Sequence, residues 1–167
     1  AKLRKMGHQV WWYVCYDPRY PYANFAAMDY PLIEGRILAW QTFQFRADGL
    51  LFWHLNQDWS MNNIIADWEA FSDWETTTWV ASGDGNLLYP FPEGPEPGLR
   101  LIAIRDGLED YEYLTLLEAA EGREAVEKYI GIISQSMTEY TRNPALLEKT
   151  RREIAERLKQ HHTAQEQ

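Results

Sequence analysis

Two dense apolar runs, Gln9 to Tyr16 (QVWWYVCY) and Leu50 to Leu55 (LLFWHL), stand on either side of one amphipathic helical pattern. That order constrains the fold more than any other feature. Neither run alternates polar with apolar residues, so each predicts a strand buried on both faces, the kind a parallel sheet favours. Asp17-Pro18 stops the first run. Asp29 is a plausible N-cap, Pro31 belongs to a first helical turn, and Ile33, Ile37, Trp40 and Phe43 recur at helical spacing up to about Ala47. Asp48-Gly49 then breaks the helix. Strand, loop, helix, strand is a βαβ unit with an expected right-handed crossover, so the fold class is α/β.

The flanking segments fill in the outline. The basic stretch before Gly7 predicts the end of a helix, closed by a left-handed glycine. Residues 86–89 (NLLY) predict a short third strand, followed by a Pro/Gly-rich segment from Pro90 to Gly98 that can continue neither helix nor strand. Leu101, Ile104, Leu108, Tyr111 and Leu114 keep helical spacing from Leu99 to Glu121, with Gly122 as the cap and Gly107 marking close packing or a kink. Two more helices are expected, Val126 to Tyr140 and Pro144 to about Lys159, and the polar tail from His161 should fray.

The expected organisation is a partial barrel segment over 1–122, a helical extension over 123–160 and a disordered tail over 161–167. Three buried parallel strands would leave two hydrophobic sheet edges open. The chain is therefore expected to pair with a second copy or to belong to a larger protein, and the absence of an initiator Met favours the larger protein.

Charge and composition narrow the partners. With 25 acidic against 16 basic residues, the net charge of -9 repels phosphate backbones and anionic lipid, so neither nucleic acid nor a membrane is an expected partner. No stretch is long and apolar enough for a membrane helix. The single cysteine, Cys15, excludes an intrachain disulfide, and no Cys/His spacing suits zinc, so no metal or cofactor is expected. Eight Trp and ten Tyr are an excess that favours carbohydrate contact, because flat rings with a polar edge stack on the apolar faces of sugars.

Four stretches in series carry a resemblance: QVWWYVCYDPRYPYANFAAMDYPLIEGRILAW, ADGLLFWHLNQDW, GDGNLLYP and LRLIAIRDGLEDYEYL. Together, from Gln9 to Leu117, they resemble the C-terminal domain of unknown function found in glycoside hydrolase family 123 and its relatives. The resemblance implies a TIM-like (β/α) barrel of which this chain is the C-terminal portion, with about three parallel strands. It also implies retaining β-N-acetylgalactosaminidases that use an adjacent Asp-Glu pair and the substrate's own acetamido group. That pair lies upstream of this domain in the family. Consistently, no Asp-Glu dipeptide occurs here.

In such a barrel, ligands meet the C-terminal ends of strands. Tyr13, Tyr16, Trp53, Asn56, Trp59, Asp84 and Tyr89 are therefore the candidate sugar-facing residues, and no catalytic residue is assigned within the chain. Tyr13, Trp11 and Trp12 could equally fill the barrel. Asp84, between two glycines, could equally stabilise its own turn. Arg105, Asp106, Glu109 and Asp110 read as ion pairs that anchor a helix, and His54 reads as a core- or helix-facing residue rather than a proton shuttle. The leading function is a glycosidase fragment that shapes sugar subsites and is catalytically silent alone. The rival is a non-catalytic carbohydrate-binding or protein-interaction module built on the Trp-rich stretch from Trp59 to Trp79.

Overall fold

The computed structural model describes residues 2–56 and 83–165, with side-chain burial described as far as residue 163. A short basic helix, α1 (Lys2–Lys5), ends at Gly7, which takes φ 83° as a left-handed cap requires. Strand β1 (Trp11–Val14) then pairs in parallel with β2 (Gly49–Phe52), and helix α2 (Ile33–Gln44) lies between them in sequence. Asp48 sets the register. Its carboxylate accepts the Val10 N–H at 2.6 Å, while its own N–H donates to the Val10 carbonyl at 2.8 Å. The Val10 N–H holds the Asp48 carboxyl below the usual carboxylate range. One pair farther on, the Trp11 indole lies over Gly49, where any Cβ would sit 2.5–2.8 Å from the ring.

The strands are buried on one face rather than the two expected. Trp12, Val14, Leu50 and Phe52 turn towards the helices; the Trp12 indole N–H donates to Thr42 Oγ1 at 3.1 Å, and Phe52 meets Phe25 edge-on at 4.9 Å. Alternation sends Trp11, Tyr13 and Leu51 the other way, where they are 56%, 44% and 49% exposed. The strands are apolar on both faces, but the described residues cover only one of them.

The third strand also differs from expectation. Leu88–Tyr89 (β3) pairs antiparallel with Glu96–Pro97 (β4), inside the segment that was expected to hold no strand. The Leu55 carbonyl accepts the N–H groups of both Leu87 and Leu88, and Asn56 forms an antiparallel bridge to Asn86. These contacts turn the chain back across the end of β2 instead of alongside it. The described residues thus hold two parallel strands and one small antiparallel pair.

Helices α3 (Leu99–Glu121), α4 (Arg123–Ile133) and α5 (Pro144–Gln165) complete the fold. None of the described helices is long and apolar enough to cross a membrane. Gly122, at φ 85°, separates α3 from α4 as expected. Helix α4 stops at Ile133, short of the expected Tyr140, because Ser136 Oγ captures the N–H groups of Thr138 and Glu139 at 3.3 and 3.0 Å, a local bond that competes with the helix ladder. Asn143 Oδ1 caps α5 by accepting the Ala145 N–H at 3.0 Å, with Pro144 in the first turn. At the other end α5 runs on through the residues expected to fray, and His161 lies 3.1 Å from Glu121. Asp29, in contrast, caps nothing: Leu32 holds the N-cap position of α2 without a side-chain bond.

Val126, Tyr129, Ile130, Ile133, Leu147 and Ile154 share one core with Ile37, Trp40, Leu114 and Leu117, so the helical extension is packed into the same interior as the βαβ unit. Close approach of α2 and α3 makes this possible. A Cβ on Gly107 would lie 2.9 Å from the Arg36 Cα, whereas one on Gly35 would meet the Ile104 side chain at 3.4 Å. Gly107 therefore marks close packing, one of its two expected roles. Gly107→Ala is expected to lower stability by about 1–3 kcal/mol through overpacking. Gly35→Ala is expected to stay within about 1 kcal/mol of the parent, since alanine's helix preference offsets a mild contact. Thermal melts of the two variants check this, and equal midpoints would show that α3 shifts off α2 without cost.

Candidate functional site

The loops that follow the parallel strands meet at one end of the sheet. The first, between β1 and α2, is fixed from within by Asn24, which is fully buried. Its side-chain amide donates to the Cys15 and Pro18 carbonyls at 2.8 and 2.9 Å, and its Oδ1 accepts the Ala26 N–H at 2.8 Å. From outside, Glu34 Oε2 accepts the Asn24 N–H at 2.9 Å. Its other oxygen accepts from the Tyr140 hydroxyl at 3.2 Å and from Arg142 at 2.8 Å. Arg142 also covers the ring of exposed Tyr20 at 4.6 Å. Burial pushes the Glu34 carboxyl above its ordinary value, against the opposing pull of the Asn24 N–H, Arg142 and Tyr140.

The second loop carries Asp84. Gly83 and Gly85 both take φ 74°, a left-handed conformation that suits glycine, and the Asn86 N–H closes the turn onto the Gly83 carbonyl at 3.1 Å. This turn buries Asp84, which is 2% exposed. Desolvation raises the Tyr13 phenol pKa, with Cys15 and then the Asp84 charge adding to it. The two loops are tied by Arg100, 6% exposed in the first turn of α3. Its guanidinium donates to the Phe25 and Ala26 carbonyls of the first loop and to the Gly83 and Asn86 carbonyls of the second.

The expected sugar-facing residues divide into two groups. Tyr13 lies on the open sheet face and Trp53, 61% exposed, just past β2; Asn56 is bridged to Asn86, two residues from Asp84. Of these, Asn56 and Asp84 are brought near each other by that bridge. Tyr16 instead stacks beneath Arg19 at 3.9 Å, and Tyr89 packs into its hairpin, with its hydroxyl on Met28 Sδ at 3.6 Å and its ring against Gly98. Trp59, like Asp58 and the Trp-rich stretch, lies outside the described residues. His54 is not core-facing as expected: strand alternation ends at Phe52, the His54 ring meets Trp53 edge-on at 5.0 Å, and its Nδ1 contacts Asn56 Oδ1 at 3.1 Å.

The charged cluster of α3 makes the expected ion pairs, within the helix from Arg105 to Asp106 and Glu109 and between helices from Glu109 and Asp110. Asp110, 1% exposed, accepts two hydrogen bonds from Arg36 at 2.8 and 2.9 Å and one from the Trp40 indole at 3.1 Å. Among the described residues no group of three His, Cys, Asp or Glu could hold a metal ion. Sequence reading missed Arg100. Its signal was an arginine in the first turn of an apolar helix, where the helix dipole disfavours a cation unless carbonyls receive it.

Residues 1–117 match the family model of the glycoside hydrolase 123 catalytic domain. The chain belongs to this family. A comparison with curated proteins gives no match. In this glycoside hydrolase 123 chain the matched stretch contains both loops joined by Arg100 and Arg100 itself, whereas Tyr140 and Arg142, which hold Glu34, lie beyond it.

The raised Glu34 carboxyl gives a pH prediction. A folded-state pKa above the unfolded one contributes stability that is fully present below the unfolded value, near 4.5, and is lost as pH rises through the folded value. Relative to Glu34→Gln, the parent protein should therefore gain melting temperature as pH falls from neutral towards 4.5. A difference between the two that stays constant or shrinks on acidification would contradict this assignment.

Proposed function

We propose that the chain is the C-terminal part of a (β/α) barrel in a hydrolase acting on N-acetylhexosaminides, supplying sugar-facing side chains while the catalytic acid pair comes from upstream strands. The observation that carries this reading is the sheet face that the described residues leave uncovered. A parallel pair with helices on one side needs cover on the other. In a barrel that second face is the interior, filled by neighbouring strands, and its C-terminal rim is where substrates bind. Trp11, Tyr13 and Leu51 occupy the open face, and Trp53, Asn56 and Asp84 lie towards that rim.

The chemistry suits a neutral sugar. Trp53 offers a ring face for stacking, while Asp84 and Asn56 offer polar atoms for hydroxyls. Glu34 is a poor catalytic acid because three donors already occupy its oxygens inside a closed loop. The lack of an Asp-Glu dipeptide agrees with an upstream source for the acid pair. On this reading it is the upstream strands that close the sheet, rather than a second copy of the chain.

The test uses the intact protein with p-nitrophenyl N-acetyl-β-galactosaminide. Hydrolysis is expected, and Trp53→Ala should raise KM about three- to tenfold, the ~0.5–1.5 kcal/mol of one aromatic contact, with a smaller change in kcat. Binding of N-acetylgalactosamine without hydrolysis would replace the hydrolase with a carbohydrate-binding module. The absence of both binding and hydrolysis would overturn the reading.

A further inference from the structure

Arg100 has partners that are unusual for a buried cation. Among the described residues it is bonded to four carbonyl oxygens and to no carboxylate. Two of these, Phe25 and Ala26, lie in the loop after β1, and the other two, Gly83 and Asn86, flank Asp84. Arginine's planar fork can serve four acceptors in fixed directions at once, which the single ammonium of lysine cannot. The Gly83 carbonyl is held at 2.7 Å, and a Cβ on Gly83 would lie 2.7 Å from the guanidinium, so the turn is seated directly on Arg100.

We propose that Arg100 is a positioning residue for the sugar-binding mouth: by joining the loop after β1 to the Gly83–Asn86 turn, it fixes where the Asp84 turn stands relative to that loop. This assignment rests on the sugar reading of that mouth given above. Arg100 does not touch the sugar; it acts through the two loops. Without the fork, the turn keeps its local shape through Gly83, Gly85 and the Asn86 N–H and its tie to the end of β2 through the Asn56–Asn86 bridge, but it loses its bonds to the loop after β1, and Asp84 is held less closely. The Tyr13 phenol then reports the change, since part of its upward shift comes from the Asp84 charge.

The experiment compares Arg100→Lys with the unaltered intact protein in two readouts. One is the Tyr13 phenol titration, taken as the ultraviolet difference between each protein and its Tyr13→Phe derivative. The other is affinity for N-acetylgalactosamine by tryptophan fluorescence. Arg100→Lys should move the phenol midpoint down towards the ordinary tyrosine value and weaken sugar binding roughly tenfold, the scale of a hydrogen bond to a charged group. In an Asp84→Asn background Arg100→Lys should shift neither readout further, because its effect passes through Asp84. Additive effects would reduce Arg100 to a structural tie and overturn the proposal. Should Arg100→Lys fail to fold, Arg100→Gln, which leaves the Gly83–Gly85 turn untouched and keeps only one amide donor group, should give the same paired shifts. Failure of the unaltered protein to bind N-acetylgalactosamine would count against the sugar reading. Sugar binding that survives Arg100→Lys with an unmoved phenol midpoint would overturn the role of Arg100.

Discussion

Where α2 crosses α3, Arg36 and Asp110 meet in the interior, and much of the remaining architecture depends on that contact. Removing two charges from water costs several kcal/mol per ion, and the pair is tolerable only with further hydrogen bonds around it. Asp110 has them in the Trp40 indole and in Arg151 at 3.3 Å, and Arg36 has a second carboxylate in Glu148. Glu148 and Arg151 belong to α5, so one charged joint gathers three helices. Gly107 brings the backbones close enough for the fork to reach.

That crossing also governs the mouth. Helix α2 carries Glu34 in its first turn and α3 carries Arg100 in its own, so the helix pair that the Arg36–Asp110 contact fixes presents two side chains to the loops above the sheet. Both act on main-chain atoms: Glu34 on the Asn24 N–H, Arg100 on four carbonyls. A loop held by its backbone leaves its side chains available, which is what the proposed sugar-facing role requires. Tyr140 and Arg142 extend this control past the matched part of the chain, since they bind the far oxygen of Glu34.

Some of this was legible in sequence because the physics is local. The βαβ order followed from apolar runs and one helical period, the caps from Gly7 and Gly122, and the turn around Asp84 from its flanking glycines. The early stop of α4 was less visible, because Ser136 competes with the helix by a side-chain bond whose preference over the ladder depends on the surrounding fold. The third strand was misplaced for a similar reason. Residues 86–89 have strand composition, but composition does not specify direction, and the Leu55 carbonyl that receives Leu87 and Leu88 lies more than thirty residues away.

The sequence by itself determined the family, the parallel strand pair and the aromatic character of its faces, since residue types, their period and their order suffice for these. Only the tertiary structure decided which face the described residues leave open, where each of the expected sugar-facing residues lies, and that Arg100 joins the loops. Asn56 is bridged to Asn86, beside the Asp84 turn, while Tyr16 and Tyr89 are drawn to Arg19 and Met28. The reason is physical: a hydrogen bond between residues 75 positions apart is a property of how helices pack, and no local pattern in the chain encodes it.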